Sequence, residues 1–304
     1  SDKVSKISKS KISFSEIMSR TMKSLYQRDG AVVIRNLLSE KVRICSVSNE
    51  IQSLKTIFHF SQMVKLLKRG IERNLRTPTT RAVTASRDTD PGRFFEDFVV
   101  WPSIEEYRTV LRESNIAKVA AELTSSSTIR MFHDHLLVKE PGTIAETPAH
   151  QDLPYYNISG NQNVSFWIPV DPVGVESSPK FIAGTHTGPC YMPRTFMDKE
   201  AKWFPEGALE EIPDSFDESL VRQWKLNPGD AVAFHMLTVH TAAGVPPDKP
   251  RRRAWSVRLI GDDVVHAPRR WKTSPDFPTL NLAEGEPMGS SPSDFPLLWP
   301  SCEI

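Results

Sequence analysis

His150 and Asp152 stand two residues apart in TPAHQDLPYYN (147–157), a stretch otherwise made of prolines, aromatics and small polar groups. Two imidazoles and one carboxylate on a common face leave three coordination positions open, the arrangement with which a mononuclear non-haem iron(II) site activates oxygen. Residues two apart in an extended segment point the same way, so this pair can supply two of the ligands. The third has to come from a distant segment. His240, at the end of GDAVAFHMLTVH (229–240), is the candidate, because an antiparallel barrel brings distant strand ends together at its mouth. Beyond His240 a proline-rich turn leads into RRAWSVRL, where strand alternation places Arg252, Ala254, Ser256 and Arg258 on one face. Arg252 can then reach back into the same cavity and grip a dicarboxylate by a bidentate ion pair, which points to 2-oxoglutarate.

Each of these residues also has a plainer reading. An isolated His-x-Asp is most often structural or solvated, and only the ordered set with a distal arginine makes it specific. His133-Asp134-His135 is a rival pair of same-face ligands, although no arginine is spaced relative to it. His186 fits a brace for the loop AGTHTG, His235 alternates off the His240 face, and His59 and His266 lie outside the pattern. Arg252 is flanked by Arg251 and Arg253, and alternation sends Trp255, Val257 and Leu259 to the packed side. Two imidazoles and a carboxylate also suit zinc in a hydrolase, and a non-catalytic β-barrel binding module is a further alternative. The zinc reading leaves the arginine without a task.

The elements that must position these residues divide in two. Ser13 with Glu16 forms a capping box, and apolar residues from Phe14 to Tyr26 recur at helical spacing up to Gly30. A short β-branched run (31–38) follows, and Ser39 can cap a second helical region reaching Asn74. Residues 77–92 read as a loop, and Ser103 with Glu106 as a capping box opening helical turns that continue past Ala120. From Ile129 short strands alternate with Pro and Gly turns, which indicates an antiparallel sandwich or barrel. The expected fold is α+β: a disordered tail (1–12), then one domain (13–304) with a helical N-terminal layer, a barrel core over about 129–262 and a coil-like wrap over 263–304. Lysine and arginine number 38 against 37 acidic residues, so no global field draws the chain to nucleic acid or an anionic membrane. The three cysteines form no disulfide framework, the lysine- and serine-rich start is neither secretion signal nor membrane anchor, and a reducing, cytoplasmic setting is expected for a monomer or homodimer.

His150-x-Asp152, His240 and Arg252 in this order resemble the iron(II)/2-oxoglutarate dioxygenases of the phytanoyl-CoA dioxygenase family. HQDLPYY (150–156) is similar to the family's first ligand strand, FIAGTH (181–186) to its Gly-Ser-His loop and RDGAVVIRNLLS (28–39) to its N-terminal signature. The resemblance implies a double-stranded β-helix of the jelly-roll or cupin-like kind, with iron(II) held by His150, Asp152 and His240, and Arg252 on the distal carboxylate of 2-oxoglutarate. It places Lys139 and Trp167 beside the co-substrate, and His133, on the strand face of Lys139, with them. Where the family often has a serine two residues after the distal histidine, this chain has Ala242. The implied activity is hydroxylation of a small organic molecule with oxygen, giving succinate and carbon dioxide, with ascorbate supportive. Related halogenases lack the carboxylate ligand, so Asp152 favours hydroxylation. Tyr155, Tyr156 and Asn157 are expected to border the open coordination positions, with Arg258 as a further contact and Arg93, Glu96, Asp97 and Trp101 of GRFFEDFVVWPS (92–103) as candidates, while Phe94, Phe95 and Phe98 there fit core packing at least as well; their character suggests a polar or charged substrate.

Overall fold

The computed structural model describes residues 14–38, 49–194, 205 and 207–300. The expected tail and the capping residues Ser13 and Ser39 lie outside these. In chain order the elements are α1 (Phe14–Asp29), β1 (Ala31–Ile34), α2 (Asn49–Arg76), β2 (Val83–Thr84), β3 (Phe94–Phe98), α3 (Glu105–Glu113), α4 (Ile116–Thr124), β4 (Ile129–Lys139), β5 (Thr147–His150), β6 (Ile158–Ser159), β7 (Asn163–Pro169), β8 (Lys180–Ile182), β9 (Val221–Arg222), β10 (Ala231–Phe234), β11 (His240–Ala242), β12 (Arg252–Ile260), β13 (Val265–His266) and β14 (Leu297–Trp299). The major sheet runs β1-β10-β7-β12-β4-β3-β2, with β14 added on β4; the minor sheet runs β5-β11-β8-β9. All these pairings are antiparallel, and the two sheets form the jelly-roll of a double-stranded β-helix. Among the described residues no helix is long and apolar enough to cross a membrane.

Alternation along the strands gives the major sheet two unlike faces. Leu136 and Val138 of β4, Phe166 and Ile168 of β7, and Trp255, Val257 and Leu259 of β12 point outward, to a hydrophobic core shared with the helices. Val64, Leu67 and Ile71 of α2 recur at helical spacing and are buried there, as are Tyr107, Val110 and Leu111 of α3. Tyr107 stacks on Trp255 at 4.9 Å, and Trp255 Nε1 donates to Asp134 Oδ2 at 2.8 Å. The residues between these on the same strands face the opposite way, into a cavity between the sheets.

Five expectations need correction. The core reaches beyond 129–262, because β1 and β3 from the N-terminal half pair with β10 and β4. Ser103 and Glu106 form no capping box: α3 begins at Glu105 with Ile104 as an uncapped N-cap, and the Glu106 carboxylate meets Arg73 of α2 at 3.0 Å instead. The helix also stops at Glu113 and restarts at Ile116. The C-terminal wrap is partly strand, since β14 extends β4 and β13 pairs with β6. Finally, GDAVAFHMLTVH is two strands in two sheets, β10 ending at Phe234 and β11 starting at His240, joined by a turn in which Thr238 N bonds to His235 O.

That turn is held from the N-terminus. Gly30 adopts φ +74°, and its carbonyl accepts from His235 N and from the Thr238 hydroxyl, each at 2.8 Å. A Cβ at Gly30 would collide with the His186 ring and Thr238 Oγ1. Left-handed backbone and collision act together, so Gly30→Ala is expected to lower the unfolding free energy by about 1–3 kcal/mol in chemical denaturation. An unchanged midpoint would show that the turn before His240 does not depend on this contact.

Candidate metal centre

His150 is the last residue of β5 and His240 the first of β11, and the two are direct register partners across the minor sheet. Their rings lie 4.1 Å apart, and their Nε2 atoms are 3.6 and 3.7 Å from Asp152 Oδ1. One ligand atom from each residue lies within 4.8 Å of the others, the spacing of donors around one ion. Asp152 arrives by a different route from the one alternation predicts. Its backbone is αR (φ −74°, ψ −44°), so the chain bends after His150 and brings the carboxylate round, rather than continuing as strand. Gln151 fixes the bend: its amide donates to Pro189 O and Leu237 O, and its oxygen accepts from Tyr191 N.

The donors are prepared for a cation. His150 Nδ1 is 2.8 Å from Pro148 O and His240 Nδ1 is 3.0 Å from Thr238 O. A carbonyl only accepts, so these contacts keep the proton on Nδ1 and leave the Nε2 lone pairs facing each other. Burial pushes the His240 imidazole down to about 3, which keeps it neutral. Burial alone would favour the protonated form of Asp152, but the Arg258 guanidinium outweighs it and holds the carboxyl well below its usual range. Arg258 Nη2 is 3.4 Å from Asp152 Oδ2, which also accepts from Ser165 Oγ at 3.1 Å, and Arg258 Nε donates to the Tyr156 hydroxyl at 3.1 Å. Two imidazole nitrogens and a constrained carboxylate on one wall fit a divalent transition ion with open positions toward the cavity.

The cavity holds about 410 Å³. Lys139 and Arg252, register partners on β4 and β12, line it at one end and are 2% and 7% exposed. Lys139 Nζ donates to the carbonyls of Ala145 (2.8 Å) and Ala243 (3.2 Å), and Arg252 to Ser177 O and to Ala243 O (3.0 Å). Among the described residues neither meets a carboxylate at ion-pair distance, whereas neighbouring Arg251 pairs with Glu72, and Arg253 with Asp171 and Glu72. Burial and the adjacent Arg252 push Lys139 down to about 7, and burial lowers Arg252 to about 10. Two buried cations side by side, held by carbonyls and, for Lys139, by the Phe94 ring at 4.4 Å, make a site for an anion with two charged oxygens. Trp167, Phe181 and Phe234 line the same cavity; Ala242 is there too, while Thr241 turns its hydroxyl to Thr147 O.

Other candidates fall differently. Tyr155 and Tyr156 line the cavity, with the Tyr155 hydroxyl donating to Arg194 O. Arg258 lines it but is engaged with Asp152 and Tyr156. His133, expected beside the co-substrate, is the register partner of Arg258, six residues from Lys139 along β4 and therefore about 20 Å from the cation pair. Asn157 and Trp101 are not part of the lining; Trp101 packs on the helix-side core. Nor do His133 and His135 belong to a group of three or more metal-ligand side chains among the described residues. Residues from outside the barrel core also face the cavity. Glu96 and Phe98 reach it because β3 joins the major sheet, and Arg81 and Asp276 form an ion pair at the mouth between the 77–92 loop and the C-terminal wrap.

The phytanoyl-CoA dioxygenase (PhyH) family model matches residues 26–254, and the chain belongs to that family. Solved structures of the same fold include the epimerase SnoN in complex with Fe3+, alpha ketoglutarate and nogalamycin RO (18% identity, TM-score 0.66, 93% of this chain and 99% of that one). The non-heme alpha ketoglutarate dependent carbocyclase SnoK from nogalamycin biosynthesis matches at 19% identity and TM-score 0.62 (91% and 95%). EvdO2 from Micromonospora carbonacea var. aurantiaca, complexed with 2-oxoglutarate, matches at 17% identity and TM-score 0.53 (84% and 96%). No curated protein sequence is significantly similar to the chain.

Because Arg258 keeps Asp152 ionised, Arg258→Met is expected to weaken divalent-metal binding about 10–100-fold at neutral pH, with a deficit that widens as the pH falls and protons compete for Asp152. Metal titrations between pH 6 and 8 check this, and wild-type affinity at every pH would contradict it.

Proposed function

We propose that this chain is an iron(II)- and 2-oxoglutarate-dependent oxygenase that hydroxylates a small, polar organic molecule. The observation that carries the reading is the pairing of two features on one cavity: the His150, Asp152 and His240 donors, and the Lys139–Arg252 cation pair, which among the described residues meets no carboxylate at ion-pair distance. Iron(II) bound at the three donors would supply, with 2-oxoglutarate and oxygen, the oxidising chemistry that yields succinate and carbon dioxide. The same donors suit zinc, but a hydrolase gives Lys139 and Arg252 nothing to do, and a relic binding module has no need of a carboxylate kept anionic by Arg258. The solved structures of epimerase, carbocyclase and 2-oxoglutarate-bound EvdO2 support a shared scaffold on which the reaction is set by the substrate's placement.

In this reading each residue has a physical task. Arg252 and Lys139 grip the distal carboxylate of 2-oxoglutarate and so fix its keto end toward the donors. Trp167, Phe181 and Phe234 wall that end with apolar surface and exclude water, which strengthens the ion pairs. Phe181 and Phe234 also pack on His240, at 5.8 and 4.7 Å between ring centroids, and hold its imidazole. Tyr155 and Tyr156 flank the side left to the substrate. Alanine at 242 removes a hydroxyl from the carboxylate's surroundings, and the three carbonyl contacts of Lys139 position its ammonium there instead.

Iron- and 2-oxoglutarate-dependent formation of succinate tests the activity, and His150→Ala or Asp152→Ala is expected to abolish it; full turnover in either variant would sink the assignment. Arg252→Ala is expected to weaken 2-oxoglutarate binding by about 2–5 kcal/mol, and an unchanged affinity would move the role to another cation. Lys139 carries a third expectation. Its ammonium is charged below about 7 and loses its proton as the pH rises through that value, whereas the bound dianion favours the charged form. Binding at pH 8 should therefore take up a proton and weaken with further rise in pH, as calorimetry in buffers of different ionisation enthalpy would show. Binding without proton uptake would contradict the placement of the carboxylate beside Lys139.

A further inference from the structure

Among the described residues, four of the seven buried side-chain atoms without a hydrogen-bond partner belong to cavity-lining residues: Glu96 Oε1, His133 Nε2, His135 Nε2 and Ser256 Oγ. These residues are 4%, 1%, 7% and 1% exposed. Native proteins rarely leave buried polar atoms unsatisfied, because each forgoes its hydration for nothing, so a cluster of them on one wall calls for a ligand. The four are neighbours in the sheet. Ser256 is the register partner of His135, Arg258 that of His133, and β3 brings Glu96 alongside β4. His135 Nε2 and Glu96 Oε1 are 3.1 Å apart and meet each other in a poorly directed ion-pair contact, whereas His133 Nε2 and Ser256 Oγ meet no hydrogen-bond partner; Phe98 stacks on the His135 ring at 4.0 Å.

The chemistry of the wall is that of an acceptor. His133 Nδ1 lies 3.3 Å from Asp134 O, which puts the proton on Nδ1 and leaves a lone pair on Nε2. Burial keeps both imidazoles below their ordinary range and neutral. Glu96 adds a carboxylate oxygen, and Ser256 can act in either sense. The cations of the cavity donate no hydrogen bond to this wall, although Lys139 interacts electrostatically with Glu96 and Arg258 with both imidazoles: Arg258 bonds to Asp152 and Tyr156, and Lys139 and Arg252 to backbone carbonyls. The wall still adjoins the metal centre, since the His133 ring meets Tyr156 at 4.9 Å and Tyr156 shares Arg258 with Asp152.

We propose that Glu96, His133, His135 and Ser256 form the anchor for the molecule to be oxidised, and that this anchor selects a compact substrate presenting at least two hydrogen-bond donors, as alcohol hydroxyls or amines. The word substrate rests on the oxygenase reading; the donor preference does not. The test uses the full chain loaded with 2-oxoglutarate and Zn(II), a redox-inert, diamagnetic stand-in for iron. Affinities for 1,3-cyclohexanediol, 1,3-diaminocyclohexane and 1,3-dimethoxycyclohexane are read by ligand-observed NMR. The diol or the diamine is expected to bind at least about tenfold more tightly than the diether, equivalent to one decade in Kd, and Glu96→Gln and His133→Phe to remove that preference. A preference for the diamine lost chiefly in Glu96→Gln assigns the amine, and one for the diol lost in both variants assigns the alcohol. His133→Phe fills the same space without an unsatisfied nitrogen, so its Tm should equal or exceed that of the parent; a lowered Tm would make His133 a structural group and overturn its role. Equal affinities, no measurable binding of any of the three, or a preference unchanged in both variants overturns the proposal. Binding of 2-oxoglutarate to the same sample is scored separately, and its absence would count against the oxygenase reading alone.

Discussion

Asp152 and Arg258 are buried opposite charges 3.4 Å apart, and the organisation of the site follows from that pair. Asp152 lies just beyond β5 of the minor sheet and Arg258 on β12 in the middle of the major sheet, so the contact ties the two sheets together across the cavity. Either charge left alone at this depth would cost several kcal/mol, which makes the pair a strict constraint on how the bend after His150 is placed. Ser165 from β7 and the Tyr156 hydroxyl complete the hydrogen bonding of the two groups. With Asp152 Oδ2 engaged in this way, Oδ1 is left to face the Nε2 atoms of His150 and His240.

A second consequence is the polarity of the cavity along the β4–β12 ladder. At one end Lys139 faces Arg252, two cations that only an anion can reconcile; at the other His133 faces Arg258, whose charge is already met by Asp152. The ends therefore ask for different partners, a dicarboxylate at the first and a hydrogen-bond donor at the second. Both ends carry groups that would be more stable if replaced by apolar residues of the same shape, which is the usual mark of a site kept for function at some cost in stability.

Much of this was legible in the sequence, and what was missed has physical reasons. Period-two alternation on β12 separated Arg252, Ser256 and Arg258 from Trp255, Val257 and Leu259, because a strand buried on both faces still has only two sides. The His-x-Asp pair was found by the same rule for a wrong reason: the carboxylate converges through an αR bend that Gln151 stabilises by contacts with Pro189, Tyr191 and Leu237, all remote in sequence. His133 was placed on the correct face but with the wrong neighbours, since face is local and distance along the strand decides which end it serves. Glu96 stood out only as one of several polar residues in GRFFEDFVV, because nothing in that segment says that it joins β4 rather than the helical layer. The capping box at Ser103 failed because tertiary contact won: Arg73 claims the carboxylate that would have closed it.

The most direct test is a crystal structure of the protein soaked without oxygen in iron(II) and 2-oxoglutarate. The account predicts one metal ion on His150 Nε2, Asp152 Oδ1 and His240 Nε2, with the distal carboxylate of 2-oxoglutarate between Lys139 and Arg252 and the Glu96–His133 wall left uncovered by it. A metal held by His133 and His135, or a co-substrate whose carboxylate lies away from Lys139 and Arg252, would contradict it.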